Sequence, residues 1–307
     1  PADVPIGPEA RRALLRILDL PAAESRKLWR QKFDPAHPNV YRGWFPLQSG
    51  DSTYKEGIDM GPDLAYGAVA VDESDVLCGA TPLPAEAVLP GWRLVAADYY
   101  RAMQRTGARL MESIARGLGL PDSTFDAAFQ GGISTLRLTR YPLRPEAIVA
   151  ATNPEVLWTT HEGVRRQFTG RPHVDSGFVT LLAQDGVEGL QARAADGSWV
   201  DVPPREGTLA VNFGKVLERW TGGRIRATEH RVLSPGRERC SIPFFYEPRA
   251  DAEIAPLPIA GVEPFAPFLY GDHLWALSTA FVEFRGLDHL RQPRRPVTAP
   301  KAAAAAR

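Results

Sequence analysis

The stretch FVTLLAQDGVEGLQARAADGSWVDVP, residues 178–203, decides the fold class. It contains three short segments rich in β-branched, aliphatic and aromatic residues, namely FVTLLAQ, LQARA and WVDVP, and the turn dipeptide Asp-Gly lies in each of the two breaks between them. Short apolar segments that recur roughly every ten residues with such turns are typical of an antiparallel sandwich or barrel. The stretch therefore predicts a β-rich core.

The same pattern continues on both sides of this stretch, beginning after Gly132. Residues 134–141 read STLRLTRY, and residues 208–213, 225–233 and 240–246 read TLAVNF, IRATEHRVL and CSIPFFY. Each segment has the length and composition of a strand, and turn residues separate it from the next. We predict that these segments form one antiparallel β structure.

The residues before this core have the periodicity of helices. Apolar residues between positions 94 and 118 recur at steps of three, four and seven, which predicts a long amphipathic helix there. Residues 37–90 are rich in Gly, Pro and Asp, and predict loops with short strands. In PEARRALLRILDL, residues 8–20, four apolar residues fall on one helical face: Ala10, Leu14, Ile17 and Leu18.

We predict an α+β protein with a double-stranded β-helix, or jelly-roll, core. The predicted divisions are a helical N-terminal cap over residues 1–125, the core over 126–248, and a C-terminal helix and tail over 249–307. The helix is predicted from DHLWALSTAFVEFRGL, residues 272–287. The low-complexity tail PVTAPKAAAAAR, residues 296–307, is expected to be frayed.

The overall composition argues against several partner classes. The 36 basic and 36 acidic residues give a formal net charge of zero, and no long run of one sign suggests a nucleic-acid or membrane partner. The two cysteines, Cys78 and Cys240, match no zinc spacing or disulfide framework, so a reduced compartment is expected. The sequence shows no membrane span and no signal peptide, and we expect a cytoplasmic protein.

Three residues of the predicted core have the chemistry of a metal site. RPHVDSG contains His173 and Asp175, and alternation along a strand would direct both side chains to one face. ATEHRVL contains His230, 55 residues further along, on a different predicted strand. Two imidazoles and one carboxylate form the facial ligand set of non-haem Fe(II) oxygenases. A His-x-Asp motif alone is weak, and a strand histidine is more often an ordinary hydrogen-bonded residue.

An arginine and a serine follow the second histidine on one predicted strand. Alternation puts Arg239 and Ser241 on the same face of the segment RCSIPFFY. An arginine inside a barrel needs an anion, and its planar fork suits a carboxylate, to which the hydroxyl adds a donor. The alternative is a surface arginine on the outward face.

From Leu136 to Pro248 the sequence resembles the isopenicillin N synthase-like family of Fe(II)/2-oxoglutarate oxygenases. The resemblance is carried, in order and spacing, by RLTRYP, HVDSGFVTLLAQDGVEGLQ, WVDVPPREGTLAVNFG and HRVLSPGRERCSIPFFYEP. The N-terminal part resembles the family's helical cap more loosely, through YRGWFPL and KEGIDMG. The resemblance implies a jelly-roll dioxygenase that uses Fe(II), 2-oxoglutarate and dioxygen on a small-molecule substrate.

The resemblance also implies roles for single residues. His173, Asp175 and His230 would hold the iron, while Arg239 and Ser241 would bind the far carboxylate of 2-oxoglutarate. Tyr141 would be a further donor to the cosubstrate, and Thr139 stands where many plant members have Asn. Asn212 and Gly214 match a motif expected to be structural, and Lys215 departs from the Asp that often follows. The positions that match the family's reaction chamber are Leu182, Leu190, Val232 and Pro243.

The reaction implied by the resemblance is oxidation of an unactivated C–H bond, by hydroxylation, desaturation or ring closure. Abundant Ala, Arg, Gly and Pro suggest a bacterial source, and bacterial members of the family often act in secondary metabolism. Two alternatives stay open. An oxidase of the same fold that needs no 2-oxoglutarate could use Arg239 and Ser241 for its substrate. A binding protein or zinc hydrolase could use the same three ligands.

The substrate itself is not identified by the sequence. Candidate selectivity residues are Arg42, Arg171, Phe245 and the predicted helix over residues 274–284. Arg171 lies two residues before His173, so strand alternation would direct it to the same cavity, although a surface salt bridge is equally compatible. The oligomeric state is open, and a monomer is compatible with the sequence.

Overall fold

The computed structural model describes residues 4–48 and 53–294 of the 307-residue chain. The predicted low-complexity tail, residues 296–307, lies outside the described residues. Two antiparallel sheets form the centre of the described structure, together with one short two-stranded ribbon. This arrangement of curled sheets and helices is the predicted α+β jelly roll.

The larger of the two main sheets has six strands. These are β1 (Gly43–Phe45), β2 (Glu56–Met60), β3 (Thr135–Tyr141), β6 (Val179–Gln184), β9 (Ala210–Phe213) and β11 (Arg239–Tyr246). Their order is β1-β2-β3-β11-β6-β9, so β1 and β2 from the N-terminal segment extend the sheet of the core. The division of the chain at residue 125 stays a prediction.

The smaller main sheet has five strands in the order β4-β5-β10-β7-β8. These are β4 (Trp158–His161), β5 (Val164–His173), β7 (Leu190–Arg193), β8 (Trp199–Asp201) and β10 (His230–Leu233). The ribbon pairs β12 (Glu253–Ile254) with β13 (Phe268–Leu269). The hairpin of β4 and β5 lies outside the predicted strands except for residues 171–173 at the end of β5, and the predicted strand over residues 225–233 begins only at His230.

The described residues also form nine α-helices and five short 3₁₀ turns. The helices are α1 (Pro8–Leu15), α2 (Ala22–Arg26), α3 (Asp63–Tyr66), α4 (Trp92–Gly117), α5 (Asp126–Phe129), α6 (Glu146–Ala151), α7 (Pro154–Leu157), α8 (Lys215–Trp220) and α9 (Tyr270–Ser278). The 3₁₀ turns are Arg16–Asp19, Gly67–Ala70, Val76–Cys78, Asp122–Phe125 and Asp288–Leu290. None of these helices is both long and apolar enough to cross a bilayer.

The long helix α4 packs on the outer face of the larger sheet. The ring of Tyr100 lies 5.0 Å from that of Phe244, edge to face. Further along α4, a Cβ added to Gly107 would lie 2.5 Å from the ring of Tyr246, so only glycine allows this close approach. The helix closely matches the predicted 94–118, and Gly119 beyond its end has a φ of +74°. This contact surface fixes the back of the sheet that carries the site.

The C-terminal helix is shorter than predicted. The helix was predicted over residues 272–287, with 274–284 as its candidate selectivity segment, whereas α9 ends at Ser278 and the chain continues in turns through residues 279–286. The buried face of α9 would continue at Phe281, but Phe281 is 59% exposed and burial shifts to Glu283 and Phe284, so the helical face is interrupted. The consequence is functional, because residues 280–283 and Arg285 instead line a cavity.

Candidate active site

Two histidines and one aspartate converge between β5 and β10. His173 ends β5 and His230 begins β10, and the antiparallel register places them directly opposite, with ring centroids 4.3 Å apart. Asp175 lies two residues past the end of β5, not within a strand as predicted. Its Oδ1 is 3.7 Å from Nε2 of His173 and 3.9 Å from Nε2 of His230. Within residues 4–48 and 53–294, these are the only three side chains of ligand type so arranged.

Backbone carbonyls orient both imidazoles. Nδ1 of His173 donates to the carbonyl oxygen of Arg171 at 2.7 Å, and Nδ1 of His230 donates to that of Thr228 at 3.1 Å. Because a carbonyl can only accept, the proton of each neutral ring lies on Nδ1 and the lone pair of Nε2 is free for a metal. Burial and the neighbouring His230 lower the pKa of His173, which favours this neutral form.

Two side chains hold the other oxygen of Asp175. Its Oδ2 accepts from the Thr180 hydroxyl at 2.5 Å and from the Asn212 amide at 2.7 Å. Burial alone would raise the pKa of Asp175, but His230 and these two donors outweigh it and lower the pKa. The carboxylate is thus ionised and fixed with Oδ1 turned toward the histidines. Two imidazoles and one carboxylate fit a divalent transition-metal ion with open positions.

The three ligands lie in a cavity of about 620 Å³ between the two sheets. Arg239, Ser241 and Tyr141 line the same cavity, and the strand register pairs Arg239 with Tyr141. Arg239 is 2% exposed, yet its Nε and Nη2 have no hydrogen-bond partner among the described residues. A buried guanidinium without an anion is costly, so the pocket fits the carboxylate of a ligand. Thr139, opposite Ser241, is fully buried and its hydroxyl also lacks a described partner.

Aliphatic and aromatic side chains form much of the remaining wall. A larger and more open groove, of about 830 Å³, lies against α4 on the outer side of the sheet and contains none of the predicted site residues. The 620 Å³ cavity therefore unites the metal-type ligands, the free arginine and the apolar surface. The predicted chamber residues that line it are Leu182, Leu190, Val232, Pro243 and Phe245, together with Arg171.

Comparison with known proteins assigns the family. Residues 136–248 match the model of the 2OG-Fe(II) oxygenase superfamily. A 2-oxoglutarate-Fe(II) type oxidoreductase from Aspergillus fumigatus is 32% identical over 260 residues, which are 80% of this chain and 71% of the relative. This chain belongs to the 2OG-Fe(II) oxygenase superfamily. The isopenicillin N synthase of Streptomyces clavuligerus is 29% identical over 262 residues, 82% of this chain and 75% of the relative.

A solved crystal structure has the same overall architecture. This full-length Neurospora crassa protein, in complex with alpha-KG and 5-formyluracil, superimposes with a TM-score of 0.70 at 26% identity, over 91% of this chain and 84% of that one. The resemblance noted in the sequence and the jelly-roll fold are thereby confirmed. As a 2OG-Fe(II) oxygenase, the protein is an oxidoreductase that uses Fe(II), 2-oxoglutarate and dioxygen on a small molecule. The binding-protein and zinc-hydrolase alternative is not supported.

One predicted substrate residue of this oxygenase lies elsewhere. Arg42 is 1% exposed, and its guanidinium donates to the Thr135 hydroxyl at 2.5 Å and to the carbonyl oxygen of Ile133 at 2.7 Å. These two hydrogen bonds hold the N-terminal segment against β3. Arg42 therefore does not reach the cavity, and the hypothesis that it selects the substrate is wrong.

Sequence reasoning missed several residues around the cavity. The sequence marks Asn212 only through a motif expected to be structural and does not mark Thr180, yet the two are paired in register on β9 and β6. Arg137, Lys55 and Glu283 also line the cavity. The signal for Arg137 was available, because it lies two residues before Thr139 on β3 and alternation directs it inward. No local sequence pattern indicates that Lys55 or Glu283 lines the cavity.

Proposed function

We propose that the protein oxidises an unactivated C–H bond of a small secondary metabolite, by hydroxylation, desaturation or ring closure, with iron held by His173, Asp175 and His230. The composition and the likeness to a bacterial isopenicillin N synthase support a role in bacterial secondary metabolism. The observation that carries the proposal is a single cavity containing both the three ligand atoms and the unpartnered guanidinium of Arg239.

Each residue of the site has a separate task in this proposal. The Nε2 atoms of the histidines and Oδ1 of Asp175 would hold the metal, because the other polar atoms of these side chains are already hydrogen-bonded. Arg239 binds the distal carboxylate of 2-oxoglutarate through Nε and Nη2, and Ser241 and Tyr141 add hydroxyl donors. Bound Fe(II) with 2-oxoglutarate and dioxygen supplies the oxidising power.

The apolar wall gives the chain control over what is oxidised. Leu182, Leu190 and Val232 are contributed by three different strands, and Pro243 and Phe245 by β11. A substrate that fills this wall excludes water from the metal and brings one C–H bond toward it. The cavity thus has a cosubstrate end around Arg239 and an apolar stretch of substrate wall, and Lys55, Arg137 and Glu283 add charged groups to its lining.

The proposal is tested by anaerobic titration. Fe(II) is added to the metal-free protein and then 2-oxoglutarate, and the weak visible charge-transfer band of an iron–oxoacid chelate is recorded. We expect the band in the wild type and its loss in His173→Ala and His230→Ala, which remove a ligand each. Unaltered iron binding and turnover in either variant would contradict the ligand assignment.

The same titration distinguishes the proposed dioxygenase from the remaining alternative, an oxidase of the same fold that needs no 2-oxoglutarate. If Fe(II) binds but the band does not form on addition of 2-oxoglutarate, an oxidase that needs no 2-oxoglutarate is favoured. In that case Arg239 would bind a carboxylate of the substrate itself. If Fe(II) does not bind, the proposed function fails.

A further inference from the structure

Five charged side chains form a cluster beside the cavity, and three of them, Lys55, Arg137 and Glu283, line it. Asp59 is buried and accepts from Arg137 twice, with Nε–Oδ1 at 2.6 Å and Nη2–Oδ2 at 2.7 Å. Its Oδ2 also accepts from Nη2 of the fully buried Arg30. Close by, Lys55 Nζ and Glu283 Oε1 are 2.8 Å apart. We call these five residues the entrance cluster.

The entrance cluster contains three cations and two carboxylates. Arg30, Arg137 and Lys55 face Asp59 and Glu283, and one positive charge is left in excess. Both carboxylates are ionised, because the neighbouring cations lower the pKa of Asp59 well below its usual range and that of Glu283 to about 2, despite burial. The excess positive charge lies at the cavity wall, where Arg137 is 21% and Lys55 19% exposed, and an anionic ligand in the cavity would pair with it.

Arg137 is the cation that can receive this anion. Its guanidinium lies between the rings of Phe45 and Phe245, with its Cζ atom 5.3 and 5.4 Å from their centroids. Nε and Nη2 are engaged by Asp59, whereas Nη1 has no acceptor among the described residues. The side chain lines the cavity and is 21% exposed. It is therefore a rigidly held donor with free N–H groups at the cavity wall.

The neighbouring surface is suited to the apolar part of a ligand. Phe245 lies on the inner face of β11 beside Pro243, and Phe281 lines the cavity although it is 59% exposed. A large exposed ring at a cavity wall is available to pack on a bound molecule. If the charged group of a ligand binds Arg137, the apolar body next to that group would lie between the rings of Phe245 and Phe281.

We propose that the substrate is a monocarboxylate with an apolar body, whose carboxylate binds Arg137, assisted by Lys55, and whose body packs between Phe245 and Phe281. This inference rests on the proposed function, because it places the body of the substrate on the way to the metal. The cosubstrate does not compete for this position, since its distal carboxylate has a separate partner in Arg239. Arg137 and Lys55 thus determine the charge of the accepted substrate.

The test compares two probes of similar shape, phenylacetate and the neutral phenylacetamide. Their binding to the protein is measured by anaerobic calorimetry with Fe(II) and saturating 2-oxoglutarate, so that Arg239 is filled. We expect the wild type to bind the acid at least about 10-fold more tightly than the amide, as a charge-assisted hydrogen bond predicts. Arg137→Gln should reduce this preference to about twofold or less, and Phe281→Ala should weaken both probes equally.

Arg140→Gln is the matched control. Arg140 lies on the same strand, is also 21% exposed and also binds carboxylates, but its partners are Asp19, Glu56 and Glu238. We expect it to keep the full preference for the acid. Equal binding of the two probes by the wild type, no binding of either at millimolar concentration, or an undiminished preference in Arg137→Gln would overturn the proposal.

Folding and the proposed function are monitored in the same samples. If Arg137→Gln does not form the iron–2-oxoglutarate chelate, Lys55→Gln replaces it, because Asp59 then keeps both arginines, and a several-fold smaller preference is expected. A wild type that shows no chelate but still prefers the acid through Arg137 would sink the proposed function and leave this inference standing. A wild type with the chelate and no preference would do the opposite.

Discussion

Thr180→Val tests whether the carboxylate ligand is positioned by its neighbours. The substitution keeps the shape of the side chain and removes the hydroxyl that donates to Oδ2 of Asp175 at 2.5 Å. A hydrogen bond to a charged group contributes about 1.5–3 kcal/mol, and loss of such a support to a metal ligand typically weakens metal binding ~10–100-fold. Because Asn212 still holds the same oxygen, we expect the lower end, about 10-fold weaker Fe(II) binding.

The Fe(II) dissociation constant is measured by anaerobic calorimetry, with Thr81→Val as the control. Thr81 is equally buried and donates to Oδ1 of Asp63 at 2.6 Å, so its substitution removes the same kind of bond far from the cavity. Thr81→Val is expected to lower the free energy of unfolding without changing the affinity for Fe(II). An unchanged affinity in Thr180→Val, or an equal loss in both variants, would refute the positioning argument.

Three further predictions concern the arginine of the cosubstrate end, a close contact of helix α4 and a buried carboxyl group. Arg239→Gln should raise the dissociation constant of 2-oxoglutarate at least ~100-fold, measured by titration of the chelate band, with Fe(II) binding unchanged. Gly107→Ala should lower the free energy of unfolding by ~1–2 kcal/mol in chemical denaturation, because the clash with the Tyr246 ring exceeds the gain in helix propensity. Burial raises the pKa of Glu247 from 4.5 to about 7, so the folded state alone holds this proton between those values. Stability should therefore fall by up to ~3 kcal/mol as pH rises from 4.5 to 7, and Glu247→Gln should remove that part of the slope.

The metal ligands were predictable from the sequence because they depend on short-range patterns. His173 and Asp175 are two residues apart, and His230 begins a segment with clear strand composition. The sequence did not contain the cross-strand register that sets His173 opposite His230, nor the end of β5 before Asp175. The strand argument for Asp175 was therefore wrong in detail, although Oδ1 of Asp175 still lies 3.7 Å from Nε2 of His173.

The residues that the sequence misplaced depend on partners far along the chain. Arg42 binds groups 93 and 91 residues away, and Asp59 binds Arg137 across 78 residues. No periodicity within a segment shows such a pairing, so a buried structural arginine and a cavity arginine look the same in one dimension. Likewise, the apolar residues up to Phe284 fit a helix by periodicity, but the helix ends at Ser278. Phe284 instead packs from a turn on Tyr41, with ring centroids 5.4 Å apart, and this partner lies far away in the sequence.

Strand β11 explains why packing and chemistry can be encoded in one segment. Its alternate side chains face opposite ways: Cys240, Ile242, Phe244 and Tyr246 pack toward the apolar core, while Arg239, Ser241, Pro243 and Phe245 line the cavity. The core-facing side chains are held by aromatic rings of α4 and its neighbours, including the contact between Tyr100 and Phe244. A strand cannot shift by one residue without exchanging its two faces. The packing of the core-facing side chains therefore also fixes the register of the side chains that line the cavity. The arginine of the cosubstrate end is therefore held at a set distance along β11 from Phe245 of the substrate wall, and both are positioned before any ligand binds.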